Sequence, residues 1–405
     1  MKGLPFLLAG LLILLSCDKF TLNRVYRVEA LPSHSYHGRD TSSSSTVGKP
    51  TCDTSVYVVA VIVPDTYDWR KDASYGAVDC TVQLWKNNTL QFSSAAGPGT
   101  DIGPAPDMHH LAGGHLYTEN TSVGGTTICC DGKVAFSYNQ REQLKGLLIK
   151  DGSIYTLGRN LDGGGFCFRR DGEPLLKQDS GEIFGDFSNP VYGRGGALYE
   201  NDGAVCFSFR NTSSCFVVKD GNMKNVSTVS SASRVRDMRI IGRDIYYISD
   251  YSTTMVVTGP AGSQALPSDV RWLNAGLLTR DDGVWVCAEG ADCSMCTIIG
   301  LPAKSIFFSG GENLIYTGTR EIYALGYDGG YFRIYKSGRE VVFARDSTFL
   351  LSTSALTCAG DEVYALVNPK EHDASPFVWH GGKKTEYSLN GYLTAIEVEI
   401  SPPRL

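Results

Sequence analysis

The sequence predicts an all-β chain, a single closed β-propeller of about eight four-stranded blades, sealed by strands from both ends of the chain. Three observations carry that expectation. A strand with an aromatic near its start recurs at Tyr57, Tyr117, Tyr155, Tyr199, Tyr246, Trp285, Tyr323 and Tyr364, with spacings of 60, 38, 44, 47, 39, 38 and 41 residues. A period of roughly 40 residues holding four short strands is that of a propeller blade. Each aromatic strand is read as the second of its unit, and a third strand then runs into a turn, as in TICCDG, FCFRRDG, FVVKDG, RIYKSG and VWHGG. Asp-Gly, Ser-Gly and Gly-Gly supply the positive φ that two-residue hairpins require. Finally, the two ends are complementary. Leu393–Ile400 reads as a first strand lacking its second, and SVYVVAVIV from Ser55 as a second strand lacking its first. Joining them removes the two free edges of an open array.

Eight units follow from this count. The enlarged first spacing and a degenerate stretch around Ala303 (TIIGLPAKSIFF) leave seven as the other count. The repeats at Gly360–Ala365, Trp85–Asn88 and Lys336–Gly338 resemble those of β-propellers in predicted bacterial lipoproteins of Bacteroidota type, which read "GDVYVAG … LWKNG". The resemblance spans about residues 52–405. It implies the fold and carries no activity with it.

From the N-terminus, Met1–Ser16 holds one Lys2 and an apolar run too short to span a bilayer stably, the pattern of an export signal. It ends Leu14-Leu15-Ser16-Cys17, which resembles a bacterial lipobox, so Cys17 is expected to be lipidated. Asp18 does not by itself choose between inner and outer membrane. Residues 17–51 lack periodicity, carry the Ser42–Ser45 run in a polar stretch and read as a flexible tether, and residues 52–405 as the propeller. The expected location is the cell envelope, periplasmic or surface, with the lipid in a membrane.

Composition agrees with a turn-rich β protein: 45 glycines, 21 tyrosines, 42% hydrophobic and 20% charged residues. A net charge of −6 excludes a general nucleic-acid binder, which needs a basic face. Twelve cysteines include Cys17. The remaining eleven are odd in number, so at least one stays unpaired. Cys206 and Cys287 lie in strand patterns and read as small buried hydrophobes. Cys293–Cys296 is expected either as a disulfide across its loop or as free thiols.

Candidate chemistry is sparse. Cys287, Cys293 and Cys296 have zinc-like spacing but lack a fourth ligand nearby. Asp107, His109, His110 and His115 form the histidine cluster DMHHLAGGH. On a strand His109 and His110 point to opposite faces, so they cannot share one metal. No metal and no cofactor is therefore expected. Glycine clusters such as Asp162–Gly165 precede no helix and are turns. Asp281-Asp282-Gly283 lacks the ligand count of a calcium loop. The loop PDTYDWRKDASYG offers Tyr67, Trp69, Arg70 and Tyr75, whose rings can stack on a sugar or peptide. Those four, with His109, His110 and His115, are the candidate ligand-binding residues. The expected function is non-catalytic binding or scaffolding through one face of the ring, with an envelope protein or glycan as partner. The alternative is glycan binding or processing by paired carboxylates in the central funnel.

Overall fold

A computed structural model describes residues 53–65, 80–96, 109–185, 197–226, 234–251, 254–267, 272–280, 283–290, 293–299, 301–309, 313–317, 321–328, 331–348, 355–359, 362–369 and 374–400. Cys17, Tyr67, Trp69, Arg70 and Tyr75 lie outside these residues. The described residues form eight antiparallel sheets and no helix. Seven are consecutive in sequence, and the eighth joins the two ends, so the molecule is an eight-bladed β-propeller.

Blade 1 is the closing blade. Gly391–Ile400 forms its first strand, followed by Thr54–Ile62, Cys80–Lys86 and Thr89–Ala96. Gly391–Ile400 pairs antiparallel with Thr54–Ile62 along its whole length, Ile62 opposite Gly391 and Thr54 opposite Ile400. Blade 2 runs His109–Ala112, His115–Ser122, Gly125–Cys130 and Lys133–Tyr138. Blade 3 runs Glu142–Lys150, Ser153–Asn160, Phe166–Arg170 and Glu173–Gln178. Blade 4 runs Glu182–Ile183 with Tyr199–Asn201, then Ala204–Arg210, Cys215–Lys219 and Asn222–Asn225; blade 5 Val235–Ile241, Asp244–Tyr251, Thr254–Gly259 and Gly262–Ala265; blade 6 Trp272–Arg280, Gly283–Gly290, Cys293–Ile298 and Leu301–Ser309; blade 7 Asn313–Thr317, Ile322–Asp328, Tyr331–Lys336 and Arg339–Thr348; and blade 8 Ala355–Ala359, Glu362–Val367, Phe377–His380 and Lys383–Glu386.

The aromatic strands are second strands in seven blades, as expected. Blade 4 differs: Tyr199 belongs to Tyr199–Asn201, which pairs with Ala204–Arg210 as part of the first strand. Asp202 and Gly203, at φ 48° and 72°, make the hairpin between them. The second strand therefore begins after this turn, and Tyr199 sits directly opposite Cys206. The aromatic has moved across the ladder, leaving the small thiol in the usual aromatic place. The stretch around Ala303 is a strand: Leu301–Ser309 pairs with Cys293–Ile298 as the fourth strand of blade 6, with one register shift between Cys296 and Ile298.

Each blade is sandwiched between two neighbours, so its central strand is buried on both sides. Val58, Val59, Ala60 and Val61 are all fully buried in succession. Such strands read as continuous apolar runs and not as alternation. Alternate residues serve different junctions. Val58 and Ala60 pack with Leu366 and Tyr364 of blade 8, while Tyr57 and Val59 pack with Leu116 of blade 2. Fourth strands are exposed: Asn222–Asn225 and Lys383–Glu386 have no buried residue. They are short, polar and lysine-bearing, which discourages pairing with another chain's edge.

Candidate functional site

Chain direction assigns the loops to two faces. Turns joining first to second and third to fourth strands lie on one face, here the hairpin face. Connections from second to third strands, and from one blade to the next, lie on the other. The segments 63–79 and 97–108 make up the enlarged first spacing and both leave from that second face. Asn390, in the connection between blades 8 and 1, donates to Val63 O and Asp65 Oδ1 at 3.1 Å each. The start of the loop holding Tyr67 and Trp69 is thus tied to the blade 8–blade 1 connection.

The predicted histidines separate. His109 opens the first strand of blade 2 and His115 opens the second, across the Gly113-Gly114 hairpin. Since His109 pairs with Thr118, it lies three residues, about 10 Å, from His115 along the strand. His109 and His110 are buried, and His115 is exposed on the hairpin face.

His115 does meet two other donors. Its Nδ1 lies 2.7 Å from Asp131 Oδ2. Cys130, paired opposite Tyr117, precedes Asp131. One donor atom each from His115, Cys130 and Asp131 lie within 4.8 Å of one another. Cys130 is a free, half-buried thiol. Burial pushes its pKa up, and the adjacent Tyr117 hydroxyl pulls against this. The scaffold beneath is firm. Asp131 Oδ1 accepts the Leu116 N–H at 2.9 Å, and Glu397 of blade 1 accepts the N–H groups of Gly113 and Gly114 at 3.1 and 2.9 Å. Gly114 must be glycine twice over. Its φ is 70°, and a Cβ there would come within 2.6 Å of the Tyr57 ring.

A second polar cluster sits inside the blade 2–blade 3 junction. Glu119 accepts the Leu144 N–H at 3.0 Å and the Thr121 hydroxyl at 3.2 Å. Glu142 pairs with Arg169 at 2.8 Å, and the guanidinium lies 4.0 Å over the Tyr138 ring. Burial pushes Glu119 up to about 7. It also raises Glu142, against the opposing pull of Arg169. Gly158 leaves the space that Glu142 Oε2 fills. Both carboxylates are almost fully buried; Glu119 clasps blade 2 to blade 3 through Leu144, while Glu142 is held by Arg169 within blade 3. Asp237 serves Leu277 N–H at 3.0 Å between blades 5 and 6, and Asn368 serves the N–H and C=O of Leu393 between blades 8 and 1. These side chains satisfy groups on the inner edge of the following blade.

In blade 6, Cys287 is disulfide-bonded to Cys296, its direct cross-strand partner. Cys296 thus bridges to Cys287, where the sequence offers a bridge to Cys293 or free thiols as the alternatives, and Cys287 is buried as expected but bonded. The third-strand residue facing Cys287 lies nine positions away in sequence, and only strand register makes them neighbours.

No family model matches the chain, and no curated protein sequence matches it. Solved structures do resemble it. Dihydro-heme d1 dehydrogenase NirN is 10% identical, with a TM-score of 0.52 over 84% of this chain and 74% of that one. Apo AztD from Citrobacter koseri is 11% identical, with a TM-score of 0.51 over 87% of this chain and all of the other, 100%. At these identities the likeness shows the fold alone.

Proposed function

We propose that this chain is an envelope propeller, tethered to a membrane through lipidated Cys17, that binds a protein or glycan partner without catalysing its conversion. The binding face is the one carrying the connections between second and third strands. The observation that supports this reading is the point at which the segment holding Tyr67, Trp69, Arg70 and Tyr75 departs. It leaves blade 1 on that face, from which segment 97–108 also leaves, and its first residues are tied to Asn390. A loop on a rigid scaffold is where binding groups are commonly placed. Aromatic rings supply stacking area at small entropic cost.

The test is a thermal-shift series on the purified chain against envelope glycans and peptidoglycan fragments, repeated with Trp69→Ala. Ligand binding to the native state raises the midpoint by mass action. A ligand that shifts the parent and not Trp69→Ala supports the face assignment. A shift that is equal in both removes this loop from the site. Turnover of a glycan in the same samples would replace binding with processing. Membrane attachment is read separately, by fractionation of Cys17→Ser cells.

A further inference from the structure

At the hairpin face blade 2 differs from the five blades that carry a basic residue before the turn between third and fourth strands. The residue before the turn between third and fourth strands is Lys86 in blade 1, Arg170 in blade 3, Lys219 in blade 4, Lys336 in blade 7 and His380 in blade 8. In four of these the basic group covers the second-strand tyrosine. Lys86 is 4.9 Å over Tyr57, Arg170 5.7 Å over Tyr155, and Lys336 5.8 Å over Tyr323, while His380 stacks on Tyr364 at 3.9 Å. The same group meets the residue two positions before that tyrosine, at or just before the start of the second strand. Arg170 Nε donates to Ser153 Oγ at 3.1 Å, Lys336 lies 3.9 Å from Glu321, and His380 lies 3.7 Å from Glu362. These blades therefore place a cationic or ionisable basic group between an aromatic ring and an acceptor.

Blade 2 keeps the tyrosine, Tyr117, and the turn carboxylate, Asp131, but has Cys130 in the basic position and His115 in the acceptor position. All three side chains that meet there are metal donors. We infer that a borderline-soft divalent cation of the Zn²⁺ class binds at His115, Cys130 and Asp131, taking the place that a basic side chain holds in blades 1, 3, 4, 7 and 8. The donor set of imidazole, thiolate and carboxylate suits zinc-like ions and excludes Mg²⁺ and Ca²⁺, which take oxygen ligands. Zn–N, Zn–O and Zn–S distances of about 2.0–2.3 Å in a tetrahedron put donor atoms roughly 3.5 Å apart. The three donor atoms lie within 4.8 Å of one another, with His115 Nδ1 and Asp131 Oδ2 at 2.7 Å, so they bracket that spacing. Asp131 Oδ1 remains on Leu116 N–H and orients the carboxylate, so Oδ2 is the ligand atom. On binding, the Cys130 thiol gives its proton to solvent as the metal–sulfur bond forms. Three protein ligands leave a fourth position open to water or to an incoming donor.

Cobalt reports on the sulfur directly. The purified chain, kept reduced, is titrated with Co²⁺ and back-titrated with Zn²⁺. The expected result is a thiolate-to-metal charge-transfer band with visible d–d bands of a tetrahedral site, saturating at a single metal per chain and displaced by Zn²⁺. His115→Ala should weaken Co²⁺ binding at least about tenfold, and Cys130→Ser should remove the charge-transfer band. Cys130→Lys installs the residue type that blades 1 and 7 carry, so it should fold like the parent yet lose both the band and the rise in melting midpoint with Zn²⁺. An absent thiolate band in the parent overturns the inference, leaving His115 and Asp131 as a simple hydrogen-bonded pair. A band that survives in Cys130→Lys overturns it too, because the sulfur then lies elsewhere.

Discussion

Glu119 illustrates what a single residue does here. Its carboxylate is buried between blades 2 and 3 and holds the Leu144 N–H of the next inner strand. Burial raises its pKa from an ordinary 4.5 to about 7 in the folded chain. The folded state thus keeps this proton where the unfolded state has lost it. The contribution is fully present below about pH 4.5 and is lost as pH rises through about 7, with a slope of at most about 1.4 kcal/mol per pH unit. Glu119→Gln keeps an acceptor for Leu144 while removing the ionisation. Urea unfolding of parent and variant across that interval should give a difference that grows toward pH 7 in favour of the variant. A difference that does not change with pH would mean Glu119 does not titrate there. No sequence pattern announces this carboxylate, because its role depends on a backbone group 25 residues away across a blade junction.

At the scale of the element, the repeated unit is the hairpin between third and fourth strands. Asp131, Asp171 and Asp220 each adopt φ near 50° and each accept a second-strand N–H, from Leu116, Ile154 and Val205. Asn87 does the same for Val56. Asp and Asn satisfy both demands, left-handed backbone and side-chain acceptor. Asp220→Ala should therefore cost about 2 kcal/mol, combining the lost hydrogen bond with left-handed strain. Asp220→Gly should cost about 1 kcal/mol, losing the bond alone, and Asp220→Asn should be near neutral. Chemical denaturation of the three variants checks the order, and equal losses in all three would refute the dual role. These turns were legible in the sequence as Asp-Gly and Ser-Gly pairs. Cys130 stood directly before one of them, in TICCDG, yet its neighbourhood was not legible there. His115 and Asp131 meet only when the second and third strands are set in register.

For the whole molecule, the decisive contact is between the two ends. Gly391–Ile400 supplies the inner strand on which Thr54–Ile62 pairs, and Leu393 and Ala395 pack into the two junctions on either side. Each of the eight junctions has its own apolar cluster, so a ring missing one strand weakens two of them. A chain ending at Asn390 exposes the apolar edge of Thr54–Ile62 and should self-associate. Size-exclusion chromatography and thermal melting test this. A truncated chain that stays monomeric with the parent midpoint would show that closure contributes little.

The amino-acid sequence by itself determined the architecture. A period of roughly 40 residues, positive-φ turn residues and complementary end strands are local features, and they are repeated often enough to specify blades and their closure. The tertiary structure decided the rest. It moved Tyr199 to the inner strand of blade 4, joined Cys287 to Cys296, buried His109 and His110, and gathered His115 with Cys130 and Asp131. Each of these depends on strand register and blade packing, which set residues far apart in the chain within a few ångströms of one another.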